Sequence, residues 1–187
     1  MTGANVAITP VPGVWEPNGL SYFWISYAQT GFGGTAPPNV TGTITLPNPA
    51  PPTATFYEDF TVDGPVTAGG FVIWADDTAR VYLDKIGGGQ TLLMDANPGT
   101  GTGYCSGGVI GCLPSEGAFF NLGTLGLTPG QYEIQIDAYQ RNSGPFGVLY
   151  AGYLTTSTPE VPEPATAGMT LLGLGAGAAW WRRRLRA

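Results

Sequence analysis

Asp76 and Asp77 are adjacent acids at the end of the apolar run Phe71-Val72-Ile73-Trp74-Ala75. Adjacent side chains on an extended strand point to opposite faces. In a turn the two carboxylates converge and, with backbone carbonyls, present the hard oxygen ligands that Ca²⁺ takes. Aspartates in turns also accept hydrogen bonds from nearby backbone N–H groups. The dipeptide is therefore read in two ways, as a metal site holding Ca²⁺ or as the cap of a tight turn. A second carboxylate set, Glu58-Asp59 with Glu133 or Asp137, has the residue types of a glycosidase acid and base, and only the fold can bring those residues to a working separation. The chain has no histidine, which removes the usual general base of Ser-His-Asp and Cys-His systems and every His-ligated zinc site.

Cys105 and Cys112, the only cysteines, sit in a Gly-rich stretch spanning 97–114 with six residues between them. A disulfide can close that separation. For a ring of about eight residues, loop entropy gives roughly 2.5 kcal/mol, and an oxidising compartment would preserve the bond.

The elements that must position these groups are short strands. Thirty glycines, 17 prolines and 12% aromatic residues, with only 11% charged, describe many strands joined by tight turns. Residues 21–27 read as a buried strand. From Val40, Ile44 and Leu46 fall on one face with it and Thr41, Thr43 and Thr45 on the other, a half-buried strand. Ala54, Phe56, Phe60 and Val62 share one parity, interrupted by Glu58. Residues 71–75 are apolar on both parities, as a central strand is. Ala79, Val81 and Leu83 alternate with Arg80, Tyr82 and Asp84, and Gly87-Gly88-Gly89 turns the chain. Tyr132, Ile134, Ile136 and Ala138 oppose Gln131, Glu133, Gln135 and Asp137, and 146–154 is the last strand. About eight strands at this spacing predict an all-β fold, an antiparallel β-sandwich of jelly-roll type over residues 1–154. Trp15, Trp24, Tyr27, Tyr57, Tyr82 and Tyr139 could stack on sugar rings or fill the core.

Charge divides the chain. Residues 1–159 carry Arg80, Lys85 and Arg141 against 11 acids, a net of −8, while the remainder carries four arginines against Glu160 and Glu163. An acidic body excludes nucleic acid as a partner, because phosphate neutralisation needs a basic face.

A Pro-rich linker, 155–164, is followed by 17 residues without a charge, 165–181. As a helix these span about 26 Å, enough for a thin bilayer core. Trp180-Trp181 suits a headgroup boundary, and Arg182, Arg183, Arg184 and Arg186 form a basic stop that places the C-terminus in the cytoplasm and the body outside it. Residues 165–187 are thus expected to form a transmembrane helix with an Arg-rich tail. Val161, Pro162, Glu163 and Pro164, the hydrophobic helix and the arginine cluster together resemble the PEP-CTERM protein-sorting signal of Gram-negative bacteria. That resemblance implies recognition by an exosortase, with Pro162, Glu163 and Pro164 as recognition residues, membrane anchoring before processing, and delivery to the cell surface or extracellular matrix. The chain opens MTGANVAITPVPG, without the basic and apolar regions of a secretory leader, so export is expected to start from a Met upstream of this one.

Residues 74–84 resemble the hairpin of PA14-like and galactose-binding-like sandwich modules. In some PA14 adhesins a consecutive Asp pair holds the calcium that contacts sugar, which would give Asp76 and Asp77 that role. Lys85-Ile86 stands where such hairpins usually carry Gly. The functional expectation is a non-enzymatic, surface-sorted module that binds extracellular polysaccharide, with a structural matrix protein or a carboxylate-dependent carbohydrate-active enzyme as alternatives. The cysteine pairing is directly testable: the intact mass of exported protein should rise by two hydrogen atoms on reduction, and equal masses with and without reductant would establish two free thiols.

Overall fold

The computed structural model describes residues 6–7 (backbone), 24–31, 33–96 and 110–157. Nine strands are present among them: β1 Val6–Ala7, β2 Ile25–Ser26, β3 Ala54–Val62, β4 Val66–Asp76, β5 Thr78–Lys85, β6 Gln90–Met94, β7 Ala118–Phe120, β8 Gly130–Tyr139 and β9 Gly147–Thr156. Two single-turn 3₁₀ segments, Pro114–Glu116 and Leu122–Thr124, flank β7. All pairings are antiparallel and form two sheets, ordered β1-β2-β9-β4-β7 and β3-β8-β5-β6. From β2 to β5 each successive strand changes sheet, so a side chain at one chain crossing lies close to loops from distant parts of the sequence.

The core lies between the sheets and is built from the parities the sequence shows. Phe71, Ile73 and Ala75 of β4 and Val148 of β9 meet Phe56, Val62, Ala79, Val81, Ile134, Ile136 and Ala138 of the other sheet in one buried cluster. Phe56, Ile136 and Val81 stand side by side across three strands. The apolar run 71–75 is central, as expected, with β9 on one side and β7 on the other. The Tyr132 hydroxyl closes the lower loops: it donates to the Thr128 carbonyl at 2.9 Å and accepts from the Thr128 N–H at 3.1 Å.

The structure differs from the expected strands in three places. Residues 40–46 form no strand. Gly42 sits at φ 96°, which breaks an extended run; the Val40 N–H and the Thr43 carbonyl bond to the backbone of Gln140 and Ala50, and other backbone groups of this segment bond to side chains, none forming a strand ladder. Residues 21–23 lie outside the described residues, and within 24–27 only Ile25–Ser26 is strand. The segment 74–84 is not a hairpin, because β4 and β5 belong to different sheets. The turn after β5 uses Gly87 at φ 79°, with the Gly88 N–H on the Lys85 carbonyl at 2.7 Å, and so tolerates Lys85-Ile86 ahead of it.

The described strands belong to one compact unit that ends at Ser157. β9 continues through Thr156, two residues into the stretch read as linker. The expected helix, 165–187, lies outside the described residues. Among those described there is no helix long and apolar enough to cross a membrane.

Candidate functional site

Asp77 alone separates β4 from β5 and marks the crossing from one sheet to the other. Asp76 and Asp77 are 1% and 2% exposed, and the peptide joining them is cis. The Asp77 N–H donates to the Tyr139 carbonyl at 3.2 Å. Its carboxylate faces the 140–146 segment between β8 and β9: Oδ2 accepts from the N–H groups of Arg141 (2.5 Å) and Asn142 (2.8 Å), and Oδ1 from the Asn142 side-chain amide (3.3 Å). A carboxylate has about four lone-pair positions, and these donors take three of them. The side chain thus caps backbone N–H groups, as the turn reading expects, although the capped loop lies more than 60 residues away along the chain. Among the described residues no three His, Cys, Asp or Glu side chains gather as a metal-binding group.

Arg80 is the residue that alternation misplaces. Its position opposite Ala79 and Val81 assigns it to the outer face of the four-stranded sheet, yet it is 1% exposed. Nε donates to Asp95 Oδ1 at 2.7 Å, Nη1 to the Tyr139 hydroxyl at 2.8 Å, and Nη2 to the Ile44 carbonyl. The guanidinium also lies 5.6 Å from the Tyr139 ring centroid and 5.9 Å from that of Tyr82. Asp95 accepts in turn from the N–H groups of Leu46 (3.0 Å) and Ala96 (2.8 Å). Around this centre Ile44, Ala96 and Tyr139 form a small apolar cluster with Val40 against it. Arg141 repeats the device, donating to the carbonyls of Gly42 (2.9 Å) and Val40 (3.3 Å). Two arginines therefore hold residues 40–46 over the sheet, which is why that segment needs no strand partner. The one available sequence signal is scarcity, since only three basic residues serve the whole of 1–159. The third, Lys85, donates to Thr128 Oγ1 at 2.6 Å and lies 5.6 Å from the Tyr132 ring centroid.

Protonation equilibria report the same network. Burial alone would raise the Asp95 carboxyl. The Arg80 hydrogen bond, the Leu46 and Ala96 N–H groups and the charge of Arg80 together outweigh burial and hold it below its ordinary range. Burial pushes the Tyr139 phenol up to about 12, against the opposing pull of Arg80.

The carboxylates considered for glycosidase chemistry divide between two faces. Glu58 points toward a cleft of about 230 Å³ walled by Phe60, Phe71, Leu122, Ile134 and Leu154. There its Oε2 accepts from the Tyr150 hydroxyl at 3.1 Å. Burial and the adjacent Glu58 raise the Tyr150 phenol well above the usual range. Asp59 and Glu133 stand opposite each other on the outer face of the same four-stranded sheet, and Asp137 is occupied by Thr55 Oγ1 and Gln135 Nε2, both at 2.9 Å. Glu58 is thus separated from Glu133 by the sheet itself. Of the aromatics, Trp24 and Tyr139 are buried, Tyr27 packs 6.0 Å from Phe146, Tyr82 is half-buried, and Tyr57 is 53% exposed. Trp15 lies outside the described residues. So does Cys105; Cys112 is buried, and among the described residues no cysteine is free.

Val161, Pro162, Glu163, Pro164 and the arginines at 182, 183, 184 and 186 also lie outside the described residues. A family model for the PEP-CTERM protein-sorting motif matches residues 160–184. The chain carries this sorting motif, the mark of an exported, surface-sorted protein that is anchored in the membrane before an exosortase processes it. No curated protein and no solved structure matches the chain.

Asp77→Ala leaves three N–H donors without their acceptor and should lower stability by about 2–3 kcal/mol in denaturant melts, while calorimetric titration of Ca²⁺ into the unmodified chain should give no heat; saturable heat abolished by Asp77→Ala would restore the cation role. Arg80→Met should cost about 3 kcal/mol, because it leaves the buried Tyr139 hydroxyl and Ile44 carbonyl, and the partly exposed Asp95 carboxylate, without their donor, and Arg80→Lys should not recover it, lacking the planar fork. The depressed Asp95 value fixes the pH sign. Its stabilisation is complete above the unfolded carboxylate pKa of about 4 and is lost as pH falls through the lower folded value, so acid titration of stability should be shallower in Arg80→Met over that window.

Proposed function

We propose that the chain is an exported jelly roll serving as a non-enzymatic interaction module for extracellular polysaccharide, released to the cell surface or matrix by an exosortase. The order β2-β9-β4-β7 against β3-β8-β5-β6 is the interleaving that two nested Greek keys of eight strands generate. The observation that carries the proposal is the match of the sorting motif to 160–184 directly after a compact unit ending at Ser157. A sorting signal of this kind makes the sandwich its cargo, and a cargo without histidine, whose acids are divided between faces or occupied by hydrogen bonds, is better suited to contact than to turnover. Pro162, Glu163 and Pro164 act as the recognition sequence for the exosortase, and 165–187 as the temporary anchor.

Replacing Pro162, Glu163 and Pro164 by alanine should leave the full-length chain in the membrane fraction, with the shorter released form missing from the surface. Release at the normal rate would remove the processing role. Released protein should bind extracellular polysaccharide in a sedimentation assay without shortening it; self-assembly with no glycan binding would point to a structural matrix role, and loss of polymer length to an enzyme.

A further inference from the structure

All three basic side chains of residues 1–159 are used as internal fasteners: Arg80 and Arg141 on the 40–46 segment, Lys85 on Thr128. Eleven acids share the same body. The outer face of the four-stranded sheet shows the consequence. In one row across β3, β8, β5 and β6 stand Tyr57, Gln135, Tyr82 and Leu92; two residues along, Asp59, Glu133, Asp84 and Gln90 form a parallel row. The two tyrosines are separated by a single strand, which sets them roughly 9.5 Å apart across the sheet, a span comparable with two pyranose rings laid end to end.

The row is held rigid. Gln135 accepts from Gln90 Nε2 at 3.1 Å and donates to Asp137 at 2.9 Å. Tyr82 is backed by the Arg80 guanidinium. Tyr57 is 53% and Leu92 40% exposed, so this is an aromatic platform with a fixed amide at its centre. Beside it, burial and the flanking charges of Asp59 and Asp84 raise the Glu133 carboxyl above its ordinary range, as expected where carboxylates line up without a cation.

Taking the polysaccharide reading above as its basis, we infer that this face binds an extended amino-sugar polysaccharide, with sugar rings lying on Tyr57 and Tyr82 and protonated amines facing Asp59, Glu133 and Asp84. The apolar C–H face of a pyranose packs on an aromatic ring, and an ammonium group near a tyrosine gains a cation–π attraction besides. Ring hydroxyls meet the locked Gln135 amide. The acidic row repels uronate and sulfated polymers and favours the amine-bearing ones, and the attraction weakens as salt screens it.

The test uses the full chain in detergent with three soluble probes of similar length: a glucosamine oligomer, its N-acetylated counterpart, and a polyuronate. The glucosamine oligomer should bind about tenfold more tightly than the acetylated one, and the polyuronate should not bind. Tyr57→Ala and Tyr82→Ala should each weaken binding about tenfold, a factor equivalent to about 1.4 kcal/mol, and Tyr57→Phe should retain it. Glu133→Gln should lower affinity for the glucosamine oligomer only, while Asp63→Asn, the same charge change in the β3–β4 turn, should leave it unchanged. Equal losses from Glu133→Gln and Asp63→Asn would reduce the effect to bulk charge and overturn the inference. Loss on Tyr153→Ala, in the opposite sheet, with Tyr57→Ala silent would overturn it too. If polysaccharide binds and neither tyrosine matters, this face is wrong and the polysaccharide reading stands. If no polysaccharide binds, both fall.

Discussion

The guanidinium of Arg80 is the contact on which the covered half of the four-stranded sheet depends. Burying a cation is expensive unless each of its donors finds an acceptor. Here one planar fork reaches a carboxylate, a phenol and a backbone carbonyl, and aromatic rings occupy its faces. Those acceptors come from β8, from the residue following β6, and from a segment with no strand partner. Arg80, Asp95 and Arg141 together supply side-chain hydrogen bonds to the backbone of residues 40–46, where a strand would have ladder partners. The arrangement requires arginine, because a lysine ammonium has neither the fork geometry nor the flat face.

Asp77 plays the complementary part at the crossing between sheets. An anion there gathers N–H groups of the β8–β9 connection, while Arg141, from that same connection, reaches back to the carbonyls of the covering segment. The connection between the two last long strands, the crossing of β4 into β5 and the 40–46 cover are therefore parts of one polar assembly. Its cost in charge is visible elsewhere. With the cations drawn into fastening roles, the exposed sheet face keeps tyrosines and acids, and its chemistry toward partners is set by what the framework consumed.

Strands with one wet face were legible from the sequence because their neighbours on both sides are regular. β8 is the clearest case: Tyr132, Ile134, Ile136 and Ala138 are all buried, and Gln131, Glu133, Gln135 and Asp137 stand on the other face. The same rule failed for residues 40–46, where alternating Val, Thr and Ile mimic a strand. There Ile44 is buried with Tyr139 and Ala96, but Gly42 breaks the run and two distant arginines take its carbonyls. It failed for Arg80 for the same reason, since alternation assigns a side chain to a face and is blind to a loop that later covers that face. The aspartate pair was found as a chemical feature, yet its partners at Arg141 and Asn142 were beyond any local pattern.

By itself the sequence determined the class of fold, the core parities of the long strands, the acidic body and the sorting motif at 160–184. Each of these is local, resting on period-2 hydrophobicity, composition or a contiguous motif. Only the tertiary structure decided that β4 and β5 part into different sheets, that Asp77 clamps a loop more than 60 residues away, and that Tyr57, Gln135 and Tyr82 share one row. Those facts depend on strand order and register, which arise from long-range pairing and leave no periodic mark in the chain.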